Sequence, residues 1–133
     1  PGNRFILGKR PMSTMNPVIV KNKDNNISII TGSPGGSFIP AAALRVITGI
    51  IDFNLDVGQA TMLPRIHKDW PYAGLEYEST LSSDIVSVLE RLGHQPEPSK
   101  TLGSTQSISI IDGINYGYAD LRRPNAGVAI QVD

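Results

Sequence analysis

The sequence predicts an α+β fold in which antiparallel sheet is covered by helices. Three observations carry that expectation. Residues 17–30 and 106–118 each read as two short apolar strands around a polar turn. Between them, Ala43, Leu44, Ile47, Ile50 and Ile51 recur at helical spacing. Strand and helix signals interleave without repeats or low-complexity linkers, the pattern of the α+β or layered-sandwich class.

Each element has its own justification. Residues 1–17, rich in Pro, Gly, Asn and Ser, read as an extended arm, and 18–133 as a single α+β body. Residues 17–20 form a strand, 21–26 a turn with Asp24, Asn25 and Asn26 at its tip, and 26–30 the returning strand. The helix that follows has Pro40 near its start, where the missing N–H costs nothing. Asp56 caps a second helix, Val57–Met62, that Pro64 stops. Residues 75–77 are a short strand. Ser82 or Ser83 caps a third helix, with Ile85, Val86, Leu89 and Leu92 facing inward and Gly93 as its stop. Asp112-Gly113 closes the last hairpin, because its two-residue turn requires positive φ at both positions. Residues 120–133 are irregular.

Composition narrows the function. The chain has 133 residues, 40% of them apolar, so it is one domain or a large piece of a bigger protein. Its 12 basic and 12 acidic residues cancel, and no stretch concentrates Lys and Arg as nucleic-acid binding requires. Cysteine is absent, which excludes disulfides and thiolate chemistry. No apolar run approaches the roughly 20 residues of a membrane span, and no signal-peptide pattern is read. The start at Pro1-Gly2-Asn3, without Met, points to trimming, a cleaved precursor or an excised piece.

The stretch Gly32-Ser33-Pro34-Gly35-Gly36 carries the chemistry. A strand enters it and a helix leaves it. Glycine permits a sharp turn and close approach of a ligand. The amides of Gly35, Gly36 and Ser37 then project from a helix start, where negative charge is stabilised. A phosphate cradle, an oxyanion hole and a plain tight turn are the three readings. The phosphate reading lacks the Lys-Ser/Thr pair of a P-loop, since Phe38 follows Ser37.

Other candidates have plainer readings beside them. His67 and His94 lie in different segments and read as surface or hydrogen-bonded histidines. Trp70 and Tyr72 read as packing residues, and Arg122-Arg123 as a solvated or ion-paired turn. Ser13-Thr14 offers two adjacent hydroxyls on a proline-bounded arm. They either satisfy their own backbone or hold a carboxylate.

Taken in order, "GKRPMSTMNPVIV" (residues 8–20) and "TGSPGGS" (residues 31–37) resemble the small subunit of γ-glutamyltransferase. The resemblance continues through "IDF", "LPRIHKDW", "LERLGH", "LGSTQSI" and "YGYADLRRPNAGVA", nearly the whole chain. It implies part of an N-terminal nucleophile hydrolase, a four-layer αββα sandwich. In that family a precursor cuts itself to free a threonine, which attacks the γ-glutamyl amide of glutathione or a relative. The acyl group then passes to water or an amino acid. By resemblance, the amides of Gly35 and Gly36 form the oxyanion hole, and Ser13 and Thr14 match the Ser-Ser pair that binds the substrate α-carboxylate. Here Thr14 replaces the second serine, keeping the hydroxyl but restricting its rotamer.

The family's threonine begins the small subunit, upstream of the KRP motif. Every threonine here is internal and lacks a free amine to act as base. The chain is therefore expected to be the C-terminal part of the catalytic small subunit, inactive alone. Its partners are then the rest of that subunit, the large subunit and a γ-glutamyl small molecule, with no nucleic acid and no membrane span. No cofactor and no metal is expected. A piece of a sandwich should expose sheet edges and apolar patches, so homo-oligomerisation is expected. Localisation follows the family, periplasmic or secreted. Alternatives within the fold are a poly-γ-glutamate depolymerase or a cephalosporin acylase. A non-catalytic pseudoenzyme fragment and an unrelated anion-binding module stand outside it.

Overall fold

A computed structural model describes residues 3–71 and 74–130. Among these residues, two sheets and three helices follow the alternation of strand and helix signals. The order is β1 (Val18–Lys21), β2 (Ile27–Gly32), a 3₁₀ turn (Gly36–Phe38), α1 (Ile39–Ile51), α2 (Val57–Met62), β3 (Ile66–His67), β4 (Gly74–Glu78), α3 (Ser83–Arg91), β5 (Gln95–Ser99), β6 (Gln106–Ile111) and β7 (Ile114–Ala119). Residues 3–17 contain neither helix nor strand.

The first sheet has the order β1-β2-β6-β7 and is antiparallel throughout. Its last hairpin turns at Asp112 (φ 50°) and Gly113 (φ 80°), as the Asp-Gly signal requires. The second sheet, β3-β4-β5, contains a pairing that the sequence did not reveal: β4 and β5 run parallel, joined over α3. Parallel neighbours need such a crossover. β5 reads Gln-Pro-Glu-Pro-Ser, and its two prolines hide it from any strand signal. They fit because β5 is an edge strand, where an outward position needs no N–H.

α1 is rotated from the expected stripe by roughly a quarter turn, at 3.6 residues per turn. Its buried residues are Ile39, Ala42, Ala43, Val46 and Gly49, whereas Leu44 is 60% exposed and Ile51 53%. Small side chains win this face because α1 approaches α2 closely. A Cβ on Gly49 would stand 2.9 Å from the Ala60 Cβ. α2 begins with a capping box: Asp56 Oδ1 accepts from the Gln59 amide (2.8 Å), and Gln59 Oε1 accepts from the Asp56 amide (3.2 Å).

Ser82 caps α3, Asp84 lies in its first turn and Arg91 in its last, which suits the helix dipole. The inward face expected for this helix is not realised within the chain. α3 has no buried residue, Ile85 is exposed and Leu92 is 70% exposed. Its periodicity is correct, but within this chain it packs only lightly, against β5.

The core lies between the first sheet and the helices α1 and α2, around Ile29, Val46, Val57, Ala60 and Ala119. That inner sheet face is partly polar, and Thr31 Oγ1 and Ser107 Oγ share a buried 2.8 Å hydrogen bond. On the opposite face the register aligns Ile19, Ile30, Ile108 and Gly117 across all four strands. Ile19 and Ile108 are exposed there. Among the described residues no helix is long and apolar enough to cross a membrane.

Candidate functional site

Register brings the notable segments to one end of the first sheet. Val18 pairs with Thr31, Gly32 with Gln106, and Gln106 with Ala119. The arm therefore enters where the glycine loop leaves. The loop before β6 and the tail after β7 meet the same end.

The glycine loop uses backbone conformations that other residues resist. Gly35 has φ 137° and Gly36 φ 59°. A Cβ on Gly35 would lie 3.1 Å from the Gly103 Cα, so two backbones touch here. Ser33 fastens the contact: its hydroxyl donates to the Pro34 carbonyl (2.6 Å) and accepts from the Ser104 amide (3.0 Å). The Phe38 amide donates to the Gly35 carbonyl (3.1 Å) and that of Ile39 to the Gly36 carbonyl. Among the described residues, no hydrogen bond engages the Gly35 or Gly36 amides.

The segment after α2 supports this turn from the side. The Phe38 ring meets that of His67 edge-on, 4.9 Å between centroids. His67 Nε2 lies 2.8 Å from Asp69 Oδ1. His67 foremost, and then the Ser37 hydroxyl, hold the Asp69 carboxyl below its ordinary pKa. The half-buried His67 thus has a hydrogen-bonded, packed role. His94 is half-buried beside β5, away from it in sequence. Trp70 is 92% exposed and does not pack as expected; Tyr72 lies outside the described residues.

Beneath the loop sits a buried ionic cluster. Arg65 Nη2 donates to Asp120 Oδ2 (2.7 Å), and Arg122 donates through Nε and Nη2 to both Glu78 oxygens (2.8 and 2.7 Å). Arg65 also caps the carbonyls of Gly103 (2.8 Å), Leu102 (3.3 Å) and Thr61 (3.0 Å). Glu78 accepts from the amides of Arg65 and Leu102, both at 3.0 Å. Asp120 accepts from the Thr105 amide (2.9 Å) and the Arg122 amide (3.0 Å). Burial pushes the Asp120 carboxyl up, but the Arg122 amide, Arg65 and the Thr105 amide together hold it below its ordinary value. Burial likewise opposes the charge on Arg122, and the Glu78 carboxylate outweighs it. On Arg65 burial prevails, so its pKa falls below the usual arginine value.

Arg122 is thus ion-paired, as one of the two sequence readings had it, while Arg123 is exposed. Arg65, Glu78 and Asp120 gave no sequence motif of their own. The pairings that join them, Arg65 with Glu78 and with Asp120, span 13 and 55 residues, a spacing no local pattern reports.

Of the two candidate pairs, Gly35 and Gly36 lie at the tip of the loop. Ser13 and Thr14 lie on the arm that enters the same sheet end. The Ser13 hydroxyl oxygen accepts from the Met15 amide (3.3 Å), and Thr14 is half-buried. No described contact joins the two pairs. Among the described residues, no cluster of His, Cys, Asp and Glu has the arrangement of a metal site.

This mixed fold of antiparallel sheet and covering helices matches that of solved γ-glutamyltranspeptidases, which are N-terminal nucleophile hydrolases. The chain belongs to the γ-glutamyltranspeptidase family: the family model described as Gamma-glutamyltranspeptidase matches residues 1–130. It is 42% identical over 115 residues to the glutathione hydrolase proenzyme of Escherichia coli (strain K12), covering 86% of this chain and 20% of that protein. Against the glutathione hydrolase proenzyme of Bacillus subtilis (strain 168) it is 34% identical over 133 residues, covering 98% of this chain and 22% of the relative. A crystal structure of a Helicobacter pylori γ-glutamyltranspeptidase mutant superposes with a TM-score of 0.83 at 33% identity, over 90% of this chain and 66% of that one. The chain thus spans about a fifth of the length of these curated relatives.

Proposed function

We propose that this chain is part of a γ-glutamyltransferase that passes the γ-glutamyl group of glutathione to water or an amino acid. The observation that carries the reading is the pair of unengaged amides at Gly35 and Gly36, on a turn braced by Ser33, Gly103 and the Arg65 cluster. An oxyanion hole works when its donors are fixed before charge develops, and each is worth roughly 3–4 kcal/mol.

The nucleophile comes from residues other than these 133. A threonine hydroxyl there attacks the γ-amide carbonyl and its proton passes to the threonine's own amine. The carbonyl oxygen takes up negative charge, and the Gly35 and Gly36 amides donate to it. Collapse breaks the C–N bond, and the leaving amine takes the proton. Water or the amine of an amino acid then releases the acyl group by the same steps.

Ser13 and Thr14 supply hydroxyls to the α-carboxylate of the γ-glutamyl group. The arm's entry at the glycine-loop end supports this, as does Ser13, whose oxygen accepts from Met15 and leaves its proton to donate. The exposed isoleucine face of the first sheet suits the second sheet of a sandwich, supplied by the rest of the small subunit and the large subunit. A periplasmic or secreted location belongs to the same reading.

The test sets the isolated chain beside the product of the full gene, each given γ-glutamyl-p-nitroanilide. Cleavage by the full product alone is the expected outcome. Cleavage by the isolated chain would overturn the placement of the nucleophile. A folded full product that leaves the anilide and glutathione intact would overturn the function.

A further inference from the structure

A cavity of about 480 Å³ opens directly beside Gly35, lined by Phe38, Thr101, Ser104, Arg123 and Pro124 among others. Its volume falls within the usual range for small-molecule sites, roughly 300–1,000 Å³. We infer that it receives the amine side of the substrate, the leaving dipeptide or the incoming amino acid, and that Arg123 binds its carboxylate. This rests on the γ-glutamyl transfer proposed above.

Three observations lead there. The first is position. Gly35 is shared between the loop tip and the cavity, while Ser13 and Thr14 do not line it. If the arm takes the glutamyl end of the scissile bond, the cavity that shares Gly35 but not the arm takes the amine end.

The second is charge. Arg122 lines the cavity too, but it and Arg65 are matched by Glu78 and Asp120, so that cluster is neutral. Arg123 has no side-chain hydrogen bond or ion pair among the described residues. It therefore sets the sign of the field in the cavity. Glutathione and amino acids both present a carboxylate on the amine side, which a guanidinium recognises well.

The third is preorganisation. The Arg123 backbone is pinned on both sides: its amide donates to the Asp120 carbonyl (3.1 Å), and its carbonyl accepts from the Ala126 amide (3.2 Å). Pro124 stiffens the step that follows. No described hydrogen bond engages the Thr101 or Ser104 hydroxyls, so both remain as donors along the wall. Phe38 and Pro34 supply apolar surface for the side chain between the reacting amine and the carboxylate.

The experiment compares glutathione with its C-terminal carboxamide, using the full gene product and its Arg123→Gln and Arg123→Lys variants. The two substrates differ only at the group that Arg123 is assigned to read. The full product should prefer the acid in kcat/KM by roughly tenfold, the size of one charge-assisted contact that is partly open to water. R123Q should abolish that preference and R123K restore part of it. Added salt should shrink it in the parent protein, because the cation is exposed. A preference that survives in R123Q would overturn the role of Arg123 while leaving γ-glutamyl transfer standing. Equal turnover of acid and amide by the parent protein would do the same. A folded parent that cleaves neither substrate would overturn both.

Discussion

Asp120 joins both arginines of the buried cluster. It is fully buried, pairs with Arg65 and Arg122, and accepts the Thr105 and Arg122 amides. Removing one partner of such a pair strands the others without compensation. Asp120→Ala in the full gene product should therefore lower stability by about 3–5 kcal/mol, read from urea unfolding. Its titration gives a second expectation. The folded pKa lies below the ordinary carboxylate value, so the unfolded chain binds more protons in the acid range. The contribution is complete above about pH 4 and is lost as the pH falls through the folded value. Urea midpoints should drop across that window, and Asp120→Asn should flatten the drop. The positive-φ turn at Gly35 and Gly36 and the local hydrogen bond of Ser13 were legible at this scale, because those residue types signal a local conformation. The acid-base cluster was not. Arg122 and Glu78 are 44 residues apart, and only folding shows that a charged residue is spent on burial.

Elements were legible where a local rule fixes them. The Asp112-Gly113 hairpin, the Asp56 cap and the Ser82 cap follow from turn and capping chemistry and stand where the sequence puts them. The rotation of α1 did not, because periodicity ranks large apolar residues first. Here the deciding constraint is proximity: Gly49 lies against Ala60 and Leu63 of the next segment. Gly49→Ala tests that account. Helix propensity alone favours alanine by about 1 kcal/mol. The added Cβ would meet the Ala60 Cβ at 2.9 Å and the Ala60 Cα at 3.3 Å, and neither can swing aside. Overpacking of about 1–3 kcal/mol should win, giving a net loss of stability in thermal unfolding. A gain would mean that α1 and α2 separate without cost. β3 and β5 escaped notice for opposite reasons: one has only two residues, and the other contains two prolines.

At the scale of the whole chain, large apolar side chains stand open on several elements. Ile19 and Ile108 on the outer sheet face, Leu44 and Ile51 on α1 and Ile85 on α3 are all exposed. Open apolar side chains in this number favour association. The isolated chain should therefore form dimers or larger species in sedimentation velocity at high concentration, dissociating in mild denaturant. A sharp monomer under those conditions would show that the faces are tolerated by water. The β-order of the first sheet has one more consequence. Its crossings at Asn22–Asn26 and Asp112-Gly113 both lie at the end remote from the glycine loop, because β1 and β2, like β6 and β7, are antiparallel neighbours. The polypeptide is thus sorted into a conservative pole, where four segments must meet, and a permissive pole, where two exposed turns merely reverse it. A reporter peptide spliced between Asp112 and Gly113 would ride on the permissive pole and follow the protein without entering its chemistry.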